Sequence, residues 1–132
     1  MDHPLYLLGA LGDFTAVVVH GVVGHRIVIA PLRDRLFATA GFGDEDMTWR
    51  ILNVSWQLVT AAFFCSGVLL LLAGLGVVDA PRAPRFVALL HGSFIAVALA
   101  IVGRRVPVAL PRPVPVAFFS VLTMVTLTAW LG

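Results

Sequence analysis

The sequence predicts an all-α, polytopic membrane protein whose four transmembrane helices form an antiparallel bundle. Hydrophobic residues make up 60% of the 132-residue chain and charged residues only 12%, and the mean hydropathy is +1.00. A soluble domain usually carries about 25% charged residues. A water-soluble fold of this size cannot enclose so much apolar surface, so we expect lipid to solvate it.

Four continuous apolar segments reach the length of about 20 residues that a helix needs to cross a bilayer. They cover residues 5–29, 51–78, 85–103 and 114–131, and they make residues 1–132 a single transmembrane domain. Continuous apolar runs favour helices over a β-barrel, whose strands alternate over shorter stretches. In the first loop, residues 31–39 predict one short interfacial helix, with leucines toward lipid and arginines toward headgroups.

The distribution of arginine predicts the orientation of the spans. The first and third loops, on one side of the membrane, hold seven arginines: Arg26, Arg33, Arg35, Arg50, Arg104, Arg105 and Arg112. The other side receives only Arg82 and Arg85. The positive-inside rule places these loops in the cytoplasm and both termini outside. All nine basic residues are arginine, which, with the richness in Ala, Val, Leu and Gly, is typical of a GC-rich bacterial genome. We therefore expect a multi-pass protein of the bacterial cytoplasmic (inner) membrane.

The sequence lacks the motifs of several enzyme classes. No nucleotide-binding loop, nucleophile triad or metalloprotease motif occurs, so we assign no catalytic residue and favour a protein that is not an enzyme. The arginines lie at helix ends, where topology explains them better than nucleic-acid binding. The acidic residues 44–46 precede the second span, where carboxylates stabilise the positive end of the helix dipole. That role is a better explanation of them than a metal site.

Each predicted span carries one stripe of small or polar residues that we expect to face the bundle interior. The stripe on the first span is Gly9, Asp13, Ala16, His20 and Gly24. The stripe on the second is Asn53, Gln57, Thr60, Phe64 and Gly67. The third carries Ala88, Gly92, Ala96 and Ala100, and the fourth carries Ser120, Thr123 and Thr126.

Asp13 and His20 are the first candidates for a ligand or proton-relay site. A carboxylate within a span costs about 2.5–3.5 kcal/mol on insertion, so Asp13 is either functional or a hydrogen-bonded link between helices. Counting residues from the helix ends places His91 at a similar depth, which makes an Asp13–His91 pair geometrically feasible. His20 lies deeper, near the level that Gln57 and Asn53 reach from the inner side. A neutral imidazole at that depth can link helices, relay protons or ligate a metal.

The stretch from His20 to Arg26 reads H-x-x-x-G-x-R. This pattern is similar to the one around the haem-ligating histidine in the cytochrome b anchors of succinate dehydrogenases, although Ile27 stands where those anchors carry a second histidine. The resemblance covers seven residues and implies haem b on His20. His91 would be the second ligand, but the two differ in depth by roughly 10 Å. In an α-helix His25 would point about 140° away from His20, so the two could not chelate together.

Three functional hypotheses remain open. The first is a noncatalytic bundle, acting as an accessory or self-associating subunit of a membrane complex. An alternative is a haem b- or quinone-associated redox anchor that uses His20. A further alternative is a small proton- or cation-coupled transporter or channel that uses Asp13 and His91 and requires a dimer. All three predict the lipid bilayer, a homo-oligomer or a larger membrane complex as partners, and no nucleic acid.

Overall fold

The computed structural model describes residues 4–35, 44–78 and 82–105, and this part of the chain is all-helical. The first helix begins as α1 (Pro4–Ala16), continues as a π-helix, π1 (Val17–Ile29), and ends with α2 (Ala30–Leu32) and a 3-10 turn (Arg33–Arg35). Two further helices follow, α3 (Glu45–Gly74) and α4 (Arg82–Arg105). The prediction of an all-α fold is confirmed.

Three helices overlap the first three predicted spans, although α3 begins six residues before the second predicted span and ends four residues before its end. Pro4–Leu32 and Glu45–Gly74 are both long and apolar enough to cross a membrane, and α4 contains the third predicted span. The segment after Ile29 continues directly from the first helix, so no separate interfacial helix begins at Pro31. The rest of that predicted helix, the fourth span and its stripe lie outside the described residues.

The π-helix is the main departure from the predicted geometry. In π1 each N–H bonds the carbonyl five residues earlier, as the N–H of Ala30 does with the carbonyl of His25. The α-helical period assumed for this segment is therefore wrong. Valine, isoleucine and glycine dominate π1, and these residues favour the α-helix only weakly. Contacts with a neighbouring helix can thus decide the winding here.

The acidic residues 44–46 stabilise the N-terminus of α3. The carboxylate of Asp44 accepts a hydrogen bond from the backbone N–H of Met47 at 2.8 Å, which is N-cap geometry. In the first turn, Oδ2 of Asp46 accepts a hydrogen bond from Arg50 Nε at 2.7 Å and lies 2.7 Å from Arg50 Nη2. These contacts give the acidic cluster the helix-terminal role that its position predicts.

A Schellman motif ends α3. Gly76 adopts a positive φ of 71° and donates its N–H to the carbonyl of Ala73 at 3.1 Å. Val77 then donates its N–H to the carbonyl of Leu72 at 2.9 Å. This pair of bonds satisfies carbonyls that the helix end would leave unpaired. The left-handed backbone explains glycine at position 76, because an L side chain is strained there.

The chain divides into two packing units, each described by itself. In the first, residues 4–12, 67–78 and 82–105, the buried side chains of Tyr6, Ala73 and Ala83 form a core with Leu69 and Val78 packed against it. The second unit, residues 13–35 and 44–66, packs the C-terminal part of α1 and all of π1 against the N-terminal two thirds of α3.

The buried face of α4 differs from the predicted stripe. Ala88 is buried, but Gly92 is only half-buried and Ala96 is exposed. The face that is buried in the structure consists of Ala83, Pro84, Val87, Ala88 and His91.

Many large apolar side chains are exposed, and three polar or charged side chains of the described residues are buried. Leu58 and Leu89 are 65% and 75% exposed, whereas Asp13 and His91 are 0% exposed. Ser66 is also buried. The fully buried side chains also include Phe63, Leu70 and Val87. Fully buried charged groups and large exposed apolar patches are both unusual in a soluble domain.

We expect Gly76→Ala to lower the free energy of unfolding by about 1 kcal/mol, because alanine is strained at positive φ. Nothing lies within 4 Å of a Cβ built at this position, so the loss would report backbone strain alone. Thermal unfolding of the detergent-solubilised protein measures it.

Gly92→Ala is the matched control, since a Cβ at that position in α4 also meets nothing within 4 Å. There alanine raises helix propensity and should not destabilise the protein. Equal stability of the Gly76→Ala variant and the wild type would contradict the assignment of the motif.

Candidate functional site

Five polar and aromatic side chains meet where π1 packs against α3, within the second packing unit. The first helix contributes His20 and His25, and α3 contributes Trp56, Gln57 and Thr60. We call these five residues the interhelical polar cluster. Its members on α3 fall within five consecutive positions, so they share a little more than one helical turn.

His20, Thr60 and Trp56 form a closed set of hydrogen bonds. Thr60 donates its hydroxyl to the carbonyl of Trp56 at 3.3 Å, and its oxygen lies 3.0 Å from His20 Nδ1. In return, the indole Nε1–H of Trp56 donates to the carbonyl of His20 at 3.0 Å. A hydroxyl donates one hydrogen bond, so while Thr60 donates to the carbonyl of Trp56, its oxygen accepts from His20 Nδ1–H. This arrangement of the bonds corresponds to the Nδ1–H tautomer of His20, with a lone pair on Nε2.

Two aromatic rings hold the imidazole of His20 in place. The indole of Trp56 stacks on it with ring centroids 4.0 Å apart and planes 10° apart. Phe63 approaches edge-on, with centroids 5.7 Å apart at 75°. Stacked and edge-to-face pairs of this kind add to the energy of apolar burial. They also restrict the rotation of the ring and so orient Nε2.

His25 contacts the same helix with the opposite tautomer. The amide nitrogen of Gln57 lies 3.4 Å from His25 Nδ1. With the amide nitrogen as donor, Nδ1 accepts, and this arrangement corresponds to the Nε2–H tautomer of His25. The expectation that His25 points about 140° from His20 is wrong, because in a π-helix the offset over five residues is about 50°. Both histidines therefore reach α3.

Two glycines of π1 allow this close approach. A Cβ added to Gly21 would lie 2.6 Å from the methyl carbon of Thr60, and one added to Gly24 would lie 2.8 Å from the indole of Trp56. Neither Thr60 nor Trp56 can easily move aside, since both are held by the hydrogen bonds to His20. Gly24 belongs to the predicted stripe of the first helix, and the whole of that stripe is buried or half-buried.

The predicted stripe of α3 is correct only in part. Gly67 is buried and Asn53 and Thr60 are half-buried, but Gln57 and Phe64 are exposed. Trp56 and Phe63, one residue earlier in each case, lie on the inner side instead. The reason is the imidazole of His20, which offers these rings an aromatic partner.

Asp13 and His91 are the two most deeply buried of the predicted site residues. Both are fully buried, which agrees with the prediction that they face inward. Asp13 lies in the second packing unit and His91 in the first, where its ring is 6.4 Å from that of Phe94. Their pairing stays a prediction.

The remaining candidates, Asn53 and Arg26, lie outside the hydrogen-bonded cluster. Asn53 is half-buried, and its Oδ1 is enclosed with no hydrogen-bond partner in the part of the chain that the structure describes. Arg26 is exposed at the end of π1. The sequence pattern from His20 to Arg26 therefore does not correspond to one contact surface.

Three charged side chains and one tryptophan lie together near the start of α3. Asp46 interacts with Arg50 at 2.7 Å and with Arg33 at 3.9 Å, and the guanidinium of Arg33 lies 5.0 Å from the ring centre of Trp49. These side chains are largely exposed, so the ion pairs contribute little to stability. A guanidinium over an indole is a favourable cation–π arrangement.

Sequence reasoning missed the roles of Trp56 and Phe63 and treated Thr60 only as part of a stripe. One signal was available, since Trp56, Thr60 and Phe63 recur at steps of four and three and therefore share a helix face. The π-helical winding, which brings His25 to that face, has no comparable signal in the sequence.

The positions of the histidine and acidic side chains also bear on metal binding. Among the residues that the structure describes, no group of three or more His, Cys, Asp or Glu side chains could hold a metal ion. For haem, His20 offers one oriented Nε2 lone pair whose other ring nitrogen is hydrogen-bonded, as in many metal-ligating histidines. His91 is fully buried, and the Nδ1 of His25 accepts from Gln57.

No known family, curated protein or solved structure matches this chain. The class that the fold and site define is an all-helical protein with two helices long and apolar enough to cross a membrane. Those two helices are joined by the interhelical polar cluster.

We expect Thr60→Val to lower the free energy of unfolding by about 1 kcal/mol, because the variant leaves the Nδ1–H of His20 without its acceptor. Valine keeps the shape of threonine, so packing changes little. Thermal or denaturant unfolding in detergent measures the loss.

Thr60→Ser is the matched control, because it keeps the hydroxyl and removes only a methyl group. It should retain the hydrogen bond and lose less stability than the valine variant. A valine variant as stable as the wild type would contradict the assigned hydrogen bond.

Proposed function

We propose that this chain is a small integral membrane protein that acts as a noncatalytic accessory or self-associating subunit of a membrane complex. The observation that supports it most is the combination of exposed apolar and buried polar side chains. Large aliphatic residues of all three long helices are exposed, whereas Asp13, Ser66 and His91 are buried. A lipid environment stabilises this arrangement and water does not.

The interhelical polar cluster favours a structural role over catalysis. Each polar side chain of the cluster has at least one bond between π1 and α3 or within α3. Hydrogen bonds of this kind, together with small residues that allow close approach, associate helices within membranes. The imidazole of His20 is held by Thr60 and Trp56 in a contact that joins the two helices.

We further propose a multi-pass bundle of four spans in the bacterial inner membrane, with both termini outside. The count of arginines supports this orientation. The group formed by Arg33, Asp46, Trp49 and Arg50 is consistent with it, since Trp and Arg favour the interface between lipid and water.

The redox and transport alternatives receive less support. A haem held by two histidines of one chain would need a second histidine beside His20, and among the described residues the histidine next to it, His25, contacts Gln57 through Nδ1. The transport alternative rests on an Asp13–His91 pair, which stays a prediction.

We expect an untagged native purification in mild detergent to recover either a homo-oligomer or stoichiometric partner proteins. Light scattering after size-exclusion chromatography, with mass spectrometry of the peak, measures both. A monodisperse monomer that purifies alone would contradict the accessory role. Extraction of the chain from membranes by alkaline carbonate would contradict membrane insertion itself.

The orientation is tested with single cysteines in a Cys65→Ser background. We expect a membrane-impermeant maleimide to label Ala80→Cys in intact cells and to label Thr39→Cys only after the cells are opened. The two positions form a matched pair, since the sequence predicts them in the first two connections between spans. The reverse pattern would contradict the orientation.

A further inference from the structure

The inward-facing residues of π1 recur in steps that an α-helix does not produce. Ile29 is 4% exposed, whereas Ile27, only two positions earlier, is 69% exposed. The half-buried residues of the segment are Val17, His20, Gly21, Gly24 and His25. Its other exposed residues are Val18, Val19, Val22, Val23, Arg26 and Val28. These positions divide π1 into an inward face and an outward face.

A π-helical projection separates the two faces, and an α-helical projection does not. A π-helix turns by about 82° per residue, so Ile29 lies about 20° from His20 and Ile27 lies about 145° from it. An α-helix turns by about 100° per residue, which would place Ile29 about 180° from His20 and Ile27 about 20° from it. The exposures of the two isoleucines therefore agree with the π form.

The full set of contacts between π1 and α3 is available to only one of the two windings. Thr60 and Trp56 contact the ring and the carbonyl of His20 at 3.0 Å each, and the amide nitrogen of Gln57 lies 3.4 Å from His25 Nδ1. In an α-helix the side chain of His25 would turn about 140° from that of His20. An α-helical segment would therefore lose the contact at His25 while it kept the one at His20.

The α-helix is an available alternative for the same residues. Most π-helical segments in proteins are single turns, whereas π1 runs for 13 residues between two α-helical segments. No proline occurs from Val17 to Ala30, so each backbone N–H can bond the carbonyl four residues earlier instead of five. Backbone hydrogen bonding is kept in both forms, which leaves the contact with α3 as the difference between them.

We propose that π1 is a conformational switch, which is π-helical while it contacts α3 and rewinds into an α-helix when that contact is lost. The two forms are alternative windings of one continuous helix. Any interaction that separates π1 from α3 shifts the population toward the α form. The inference goes beyond the accessory role, because it concerns a contact within this chain and holds with or without a partner protein.

Rewinding turns the C-terminal end of the first helix relative to its N-terminal end. Between His20 and Ile29 the two windings differ by about 160°. Arg33, four residues beyond π1, lies 3.9 Å from Asp46 and 5.0 Å from the ring centre of Trp49. A rotation of this size removes Arg33 from both. The switch therefore couples the contact at His20 to the charged residues near the start of α3.

The test measures the winding of π1 by electron paramagnetic resonance of the full chain in detergent, with pairs of spin labels in a Cys65→Ser background. Labels on Val18→Cys and Ile27→Cys, both at exposed positions, lie about 20° apart on a π-helix and about 180° apart on an α-helix. Dipolar broadening of this pair reports the π form. Labels on Val23→Cys and Ala30→Cys report the α form, because they lie about 20° apart on an α-helix and about 145° apart on a π-helix.

We expect strong broadening of the first pair and weak broadening of the second in the chain with an intact interhelical polar cluster. Trp56→Ala combined with Thr60→Val, two changes confined to α3, should reverse this result. The first pair should lose its broadening and the second should gain it. Leu58→Ala, also on α3 but 65% exposed, is the matched control and should leave both pairs unchanged.

A second variant, Gly21→Leu, breaks the contact from the other side, since a Cβ at this position would lie 2.6 Å from the methyl carbon of Thr60. It should give the same reversal. Unchanged broadening in both variants would overturn the proposal, because the winding would then not depend on the contact. Loss of broadening in both pairs would also overturn it, because the segment would unfold rather than rewind.

The chain with an intact cluster provides a reading that does not depend on whether any variant folds. Weak broadening of the first pair in that chain would overturn the proposal, because the segment would not be π-helical at all. None of these readings requires a partner protein. A chain that purifies as a monomer therefore contradicts the accessory role and leaves this inference standing, whereas a winding that does not respond to α3 contradicts this inference only.

Discussion

The reciprocal hydrogen bonding between π1 and α3 is the interaction on which the account depends. Thr60 accepts from the imidazole of His20, while Trp56 donates to the carbonyl of the same residue. One residue of π1 is thus held through both its side chain and its backbone. In an apolar surrounding each of these polar groups would be costly if left unpaired, so the contact fixes the register of one helix against the other.

The π-helical winding has consequences for chemistry as well as packing. It brings His25 to the side of the first helix that His20 occupies, and the two side chains contact α3 at Gln57 and Thr60. These contacts correspond to opposite tautomers of two residues of the same type. Most π-helical segments in proteins are single turns, and these occur frequently at functional sites.

The sequence predicts the helices and most of one face, but not the detailed contacts. Hydropathy is enough to place Pro4–Leu32 and Glu45–Gly74, because the apolar runs are long and continuous. The stripe through Asp13 and His20 is correct because polar and small residues have few favourable positions outside. The inward position of Phe63 and the contact of His25 with α3 depend on π1, whose residues favour the α-helix only weakly and give no signal for its winding.

The tautomers of the two histidines test the central claim most directly. Nitrogen-15 NMR of the imidazoles, assigned with His20→Phe and His25→Phe variants, distinguishes a protonated ring nitrogen from one with a lone pair. We predict that His20 carries its proton on Nδ1 and that His25 carries its proton on Nε2. A protonated Nε2 on His20, or rapid exchange between both forms, would show that Thr60 does not accept from this imidazole and would contradict the account.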